Sequence, residues 1–302
     1  MLCPHCGSNK IHKDGVRERK NGKVVQEFEC QNIACKRYFS TTMQEAFLEE
    51  VRSNKVDPGQ VLKYNFSKPI RIHAATDIHH GACEHNWKLF DRFIETVHED
   101  PDARWFMNGD NIELIPPNYK ISQRGQAMEP DEQQLTFYKR IEKIADKCLF
   151  VRGGNHDYIR GVNLLGFDVS MALADRLGCP YFELPGYMQM NVEGRVWNLV
   201  SMHGKSGGQN GDLELNKLAS VYSQGDVFYA GHNHQLYCKP IDSLIIHKGE
   251  ERLHRRWYVR GGSFLNYADY ARYSSYPIVR AGWVTMEFNK NNIKAWTNYH
   301  EV

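Results

Sequence analysis

The sequence predicts a layered α/β sandwich behind a small cysteine-flanked unit. Three observations carry this. From Ile70 onward, short apolar runs alternate with amphipathic stretches of helical period. Five polar blocks, Asp77-Ile78-His79, Gly109-Asp110-Asn111, Gly154-Asn155-His156-Asp157, Met202-His203-Gly204 and Gly231-His232-Asn233-His234, each follow one of the apolar runs. Four of the eight cysteines, Cys3, Cys6, Cys30 and Cys35, cluster near the amino terminus.

Residues 1–40 read as a zinc ribbon. Asn21-Gly22 is a hairpin turn between Val16–Lys20 and Lys23–Cys30. Two cysteine pairs bracket it, the arrangement of a closed tetrahedral zinc site. The second pair is spaced by four residues, so His5 or His12 is an alternative to one thiolate. Residues 41–69 read as a helical connector, because Gln44–Val51 has helical composition and Asp57-Pro58-Gly59 breaks it. Residues 70–302 form the large domain. Its apolar runs Ile72–Thr76, Arg104–Met107, Leu149–Val151, Trp197–Ser201 and Val227–Ala230 are strands that deliver the five blocks to loops.

Helices cover the sheets where apolar residues recur at three- and four-residue steps: Trp87, Phe90, Ile94 and Val97; Leu135, Tyr138, Ile141 and Ile144; and Leu215, Leu218, Ala219 and Tyr222. Trp257–Val259, Trp283–Phe288 and Ile293–Trp296 are strands expected to close a second sheet. The stretch from Glu113 to Asp131, with Pro116-Pro117, Gly125 and Pro130, lacks periodicity and reads as a loop beside the site. His80 and His85 read as surface or supporting histidines. Cys83, Cys148, Cys179 and Cys238 read as buried small hydrophobes.

A hydrophobic content of 41% and charged content of 25% exclude a disordered chain. The absence of a long apolar run or a signal-peptide pattern points to a cytoplasmic protein with no membrane partner. The net charge of +2 hides an asymmetry: residues 1–40 hold eight basic and four acidic side chains, and the remainder is net acidic by two. A basic arm on a nearly neutral body suggests an anionic partner, with nucleic acid the usual one.

The five ordered blocks resemble those of the calcineurin-like metallophosphoesterase superfamily over roughly residues 70–290. That resemblance implies a four-layer αββα sandwich with a dinuclear centre. Carried over residue by residue, it assigns Asp77, His79, Asp110 and His234 to one cation, and Asp110, Asn155, His203 and His232 to the other. Asp110 bridges, since a carboxylate has two oxygens for two cations. If Asp77/His79 and His232/His234 lie on strands, the i and i+2 side chains share a face and aim together at the centre. The mixed nitrogen and oxygen ligands suit Mn, Fe, Zn or Ni, with Mn favoured. By the same resemblance His156 protonates the leaving group or stabilises the transition state, and Asp157 orients its ring. Asn111, Tyr158, Arg160 and Lys205 are substrate-binding candidates.

The expected reaction is hydrolysis of a phosphate ester by metal-activated water. The basic ribbon, with its tail Lys36-Arg37-Tyr38-Phe39, resembles zinc ribbons of nucleic-acid proteins and directs the expectation to a phosphodiesterase or nuclease on DNA or RNA, with one structural Zn. The alternative is a nucleotide or phosphoprotein phosphatase or phosphodiesterase whose ribbon docks protein.

Overall fold

The computed structural model describes residues 3, 5–6, 8–20, 22, 24–42, 54–116, 123–205, 210–267 and 278–299. The chain divides into two compact units, Met1–Lys55 and Val56–Val302. In the first, β1 (Ile11–Glu18), β2 (Val24–Cys30) and β3 (Tyr38–Thr42) form an antiparallel sheet in sequence order. Few apolar side chains are buried here: Phe28 stacks on Phe39, and Val25, Cys3 and Cys30 complete the cluster. Units with so small a buried core commonly rely on a metal or disulfides for stability. The helical reading of Gln44–Val51 lies outside the described residues.

The second unit has two six-stranded sheets. One contains β5 (Ile70–Ala75), β6 (Ala103–Asn108), β7 (Cys148–Arg152) and β8 (Tyr181–Phe182) in parallel, flanked at β5 by antiparallel β14 (Gly282–Phe288) and β15 (Ile293–Tyr299). The other runs in the order β12 (Leu236–His247), β13 (Glu250–Gly261), β11 (Val227–Ala230), β10 (Arg195–Met202), β9 (Gly186–Val192) and β4 (Leu62–Phe66).

The sheets face each other across a dry layer. Ile72, Ala74, Phe106 and Phe150 from one meet Met190, Leu199, Tyr229 and Val259 from the other. Helices α1 (Trp87–Glu99), α2 (Pro130–Ile141) and α3 (Val169–Leu177) cover the outer face of the β5–β8 sheet, through Phe90, Phe93, Phe137, Ile141 and Leu173. Helix α4 (Gly211–Val221) covers the other sheet, placing Leu215 and Leu218 on Val200, Phe228 and Tyr258. The architecture is therefore αββα. Each fully buried aromatic or aliphatic side chain contributes about 1.5–3 kcal/mol of transfer free energy. Among the described residues no helix is long and apolar enough to cross a membrane.

Several expectations are corrected. The 41–69 segment is not wholly a connector, because Leu62–Phe66 adds a parallel edge strand beside β9. Trp257–Val259 and Trp283–Phe288 do not share a sheet: β13 pairs with β11, whereas β14 pairs with β5. Leu135 is 47% exposed, and α2 buries Gln133 and Phe137 along with the expected Ile141. Ile144 follows in a separate 3-10 turn. Cys83 is exposed, while Cys179 is buried 3.7 Å from Cys148. Helix α3 has a sequence signal of its own: Asp168 caps the Met171 amide and Gly178 ends the helix in the left-handed conformation.

His80 and His85 are neither surface groups nor near-neighbours of solvent. Both are buried, His80 among Trp87, Phe90 and Phe137 and His85 against Trp87 and Phe90. His73 is also buried, its Nδ1 3.0 Å from Thr285 Oγ1 and accepting from Trp283 Nε1. Burial lowers the His73 pKa from 6.5 to about 4. Below pH 6.5 the unfolded chain takes up a proton there that the native state does not. Its contribution is therefore complete above that pH and is lost as pH falls toward about 4. Urea unfolding at stepped pH is expected to lose up to about 1.4 kcal/mol per pH unit through this window from His73 alone. In His73→Gln the slope should drop by one proton, and an unchanged slope would contradict this.

Candidate metal centre

All five blocks leave the carboxyl ends of strands, β5, β6 and β7 from one sheet and β10 and β11 from the other. Backbone bonds continue past the strand ends, from Asp77 N to Gly109 O, His79 N to Asp110 O and Gly231 N to His203 O. Asn108 joins the sheets: its Nδ2 donates to Met202 O at 2.7 Å, and its carbonyl accepts from His203 Nδ1 at 2.8 Å. That bond leaves His203 Nε2 directed at the centre.

Convergence of the paired ligands does not come from strand alternation. Asp77, His79, Asp110, His232 and His234 lie beyond the strands at positive φ, between 48° and 71°. A non-glycine residue rarely adopts this left-handed conformation, and each instance costs on the order of 1 kcal/mol or more. Five strained residues in one centre indicate that the fold sacrifices stability to aim these side chains. Two glycines make the approach feasible. A Cβ on Gly154 would lie 2.2 Å from Asp110 Oδ1, and one on Gly109 would lie 2.4 Å from His203 Nδ1.

The candidate ligand atoms form three groups, one of them His79, Glu113 and His156 at the rim. Asp77, His79 and His234 make another, and Asp110, His203 and His232 the third, each with all its ligand atoms within 4.8 Å of one another. Asp110 Oδ2 lies between the last two, 3.2 Å from His203 Nε2 and 3.9 Å from His79 Nε2. Asn155 Oδ1 is 3.2 Å from His203 Nε2 and 2.8 Å from His232 Nδ1, within the third group. His234 Nε2 is 3.5 Å from Asp77 Oδ1. His79 Nε2 is buried without a hydrogen-bond partner, while its Nδ1 is held by Glu113 at 2.7 Å. A buried nitrogen left bare among carboxylates fits a metal ligand.

The electrostatics describe a centre that calls for positive charge. Burial pushes the Asp110 carboxyl up, but His203, His156 and His79 outweigh it and hold it well below the usual carboxylate range. Burial likewise raises Asp77, and His234 overrides it. For His203 burial acts downward, while Asp110 and Asp77 hold its pKa up at about 10. Without metal, the proton held on His203 offsets part of the carboxylate charge, and a cation would displace it.

His156 stands at the rim, with its amide donating to Asp110 Oδ1 at 2.8 Å. Its ring is oriented by Glu113, chiefly through the main-chain carbonyl, and not by Asp157. Nδ1 donates to Glu113 O at 2.9 Å and lies 3.3 Å from Glu113 Oε2. Asp157 instead accepts from Gly154 N and from the amide and side chain of Asn111, a clamp between the second and third blocks. The reason is local: Asn155–Leu165 forms a π-helical segment, and the buried Asp157 turns back onto the loop amides that open it.

The substrate-binding candidates separate. Asn111 is buried on Asp157 and Arg152 O, a structural position. Tyr158 donates to Glu183 at 3.1 Å. Arg160 is brought to the centre, its Nη2 2.9 Å from His156 Nε2. Lys205 is exposed, and its amide donates to Glu214 Oε1 at 2.8 Å.

Glu113 is the residue that sequence reasoning missed. It lies three positions after Asp110, and reading the second block as Gly109–Glu113 would have included it. Its carboxylate touches His79 and His156 and lies 3.6 Å from Arg160. Arg260 and Glu214, buried 3.0 Å apart, were also missed. They brace the last two blocks through Gly231 O and the Lys205 amide. Glu113→Gln keeps the shape and removes the charge, so Mn affinity is expected to fall about 10–100-fold. Because burial lowers the His156 pKa while Asp110 and Glu113 raise it, removing one of the two carboxylates should shift an alkaline activity limb to lower pH. A Mn titration and a pH–rate profile, both unchanged, would contradict the role.

In the ribbon the four thiols also converge, all within 4.8 Å of one another. The wider second spacing is absorbed by Asn32, whose carbonyl accepts from Cys35 N and Lys36 N. Burial pushes the Cys3 thiol up, but hydrogen bonds from the amides of His5 and Cys6 bring it down to about 7, so a thiolate is within reach at neutral pH. His5 and His12 are not in the group.

No protein-family model and no curated protein matches this chain. Solved structures do. A Vps29 complexed with Zn2+ from Entamoeba histolytica is 13% identical over 76% of this chain and 99% of its own, with a TM-score of 0.43. A predicted phosphoesterase from Streptococcus pneumoniae TIGR4 is 13% identical over 76% of this chain and 90% of its own, with a TM-score of 0.39. A hypothetical protein from Pyrococcus horikoshii OT3 is 10% identical over 77% and 88%, with a TM-score of 0.41. At such distances the weight rests on the molecule's own layers and loops. Those layers are a four-layer αββα sandwich, with the candidate ligands gathered where strands of both sheets end.

Proposed function

We propose that this protein is a dinuclear metal-dependent phosphodiesterase acting on DNA or RNA, with the ribbon recruiting the polymer. The observation that carries the reading is the pair of ligand groups with Asp110 of one 3.9 Å from His79 of the other, and His156 and Arg160 at their rim. Asp77, His79, Asp110 and His234 would hold one cation, and Asp110, Asn155, His203 and His232 the other. Such a pair, when bound, supplies Lewis acidity toward phosphate oxygens and lowers the pKa of water.

The remaining work falls to the chain. His156 Nε2 accepts from Arg160 while Nδ1–H is held by the Glu113 carbonyl, so the ring is the neutral Nδ1–H tautomer. As a general acid it needs a proton on Nε2. Arg160 must then release the ring, and a phosphate oxygen is the natural acceptor for its guanidinium. Glu113 and Asp110 favour the protonated ring that would donate to the leaving oxygen.

The ribbon supports a polymer substrate. Seven of the eight residues of β1 are exposed, and Lys10, Lys13, Arg17, Arg19 and Lys20 line it and its flanks. The test uses the Mn-loaded full chain against single- and double-stranded DNA and RNA and against chromogenic mono- and diesters. Arg17→Glu with Lys20→Glu should cut polymer cleavage about tenfold below saturation. The slope of log affinity against log salt should also become shallower, by about one for each phosphate that is no longer neutralised. Hydrolysis of the small diester should not change. Small-ester turnover without polymer cleavage would instead favour a nucleotide or phosphoprotein substrate and a docking role for the ribbon.

A further inference from the structure

The β12–β13 hairpin reaches beyond the sheet it belongs to. Its two twelve-residue strands are joined by Lys248-Gly249, both at positive φ, a tight two-residue turn. From Leu244 to Leu253 every residue is exposed. This outer arm is a two-stranded ribbon carrying Leu244 (67% exposed), Ile246 (81%) and Leu253 (66%), with Leu244 directly opposite Leu253. A two-stranded hairpin is marginal in water, and apolar side chains on an open edge are normally avoided.

The register gives the direction of the unpaired groups. His247 faces Glu250 across the turn, and the pair flanking a two-residue turn exchanges both backbone hydrogen bonds. His247, Ile245 and Ser243 therefore point amide and carbonyl at β13. Ile246, Leu244 and Asp242 point theirs at the open edge of the sheet, since β12 is its end strand. Pro240 occupies the same outward phase, where a missing amide costs no ladder bond.

We infer that this edge pairs with its own copy, antiparallel about a two-fold axis through Ile245. In that register Leu244 exchanges backbone bonds with Ile246 of the second copy, and Asp242 of each chain stands opposite Lys248 of the other. The alternative two-fold register, centred on Leu244, would set Asp242 against Ile246. Asp242 is already paired with Arg255 of its own chain at 2.8 Å, so Lys248 would join an existing ion pair, and this added contact favours the first register. On one face Leu253, Leu244 and Ile246 of both chains then meet in one apolar patch, with Glu251 beside Ile246 at its edges. A bilayer suits the arm less well, because its tip is His247, Lys248, Glu250 and Glu251, and the apolar residues lie behind these charges.

Sedimentation equilibrium of the full chain tests this independently of the catalytic reading. The wild type is expected at twice the 35.1 kDa of one chain. Leu244→Glu with Ile246→Glu should weaken association roughly tenfold or more, as should Lys248→Asp alone. Adding Asp242→Lys to Lys248→Asp should recover part of the affinity. These side chains are exposed in the single chain, and retained circular dichroism and an unchanged melting temperature confirm that each variant is folded. A monomeric wild type, association unaffected by Leu244→Glu with Ile246→Glu, or a monomer that floats with phosphatidylserine vesicles through the arm would overturn the inference.

Discussion

Asp110→Asn is expected to abolish loading of both cations and lower phosphoester turnover by on the order of 10^3-fold or more. Loss of a single electrostatic stabiliser in an active site costs about 10^2–10^3 in turnover, and Asp110 stands between both ligand groups. Asparagine retains an oxygen for the His156 amide, so the loop should persist and the effect should report charge. A second readout comes from His203, whose pKa is held up mainly by Asp110 against the downward pull of burial. In the metal-free variant, NMR titration should find the imidazole well below about 10. Loss of one cation with the other retained would contradict the shared position of Asp110.

His156→Ala should behave differently. Its ring touches Glu113 and Arg160, and it groups with His79 and Glu113 at the rim rather than with the residues proposed to hold the two cations. Turnover is expected to fall about 10^2–10^4-fold with metal content unchanged, the range for removing a general acid. The loss should shrink for substrates whose leaving group needs no proton, such as a nitrophenyl diester. An equal loss for good and poor leaving groups would instead indicate that the ring stabilises charge.

Much of the fold and of the centre is legible in the sequence. The strand ends, the five blocks and three covering helices are local patterns, read from apolar period and from the polar residues that interrupt it. What the pattern could not give is backbone conformation past the strands. Asp77, His79, His232 and His234 look like alternating strand residues, yet they meet because left-handed turns bend the loops inward. Glu113 stayed hidden for a related reason, lying in a proline-flanked stretch without periodicity and reaching His79 and His156 only through tertiary contact. Asp157 was assigned to its sequence neighbour, whereas a helical segment turned it away. Leu135 shows the converse limit, since an i+3 series alone does not say which stripe of an amphipathic helix faces inward.

The most direct test of the central claim is electron paramagnetic resonance of the full chain, zinc-saturated at the ribbon and titrated with Mn(II). The account predicts that the second equivalent of Mn(II) produces an exchange-coupled spectrum, because Asp110 joins the two positions, and that phosphodiester hydrolysis rises in step with it. A spectrum of isolated, uncoupled Mn(II) throughout the titration, or full activity after the first equivalent, would contradict the dinuclear centre.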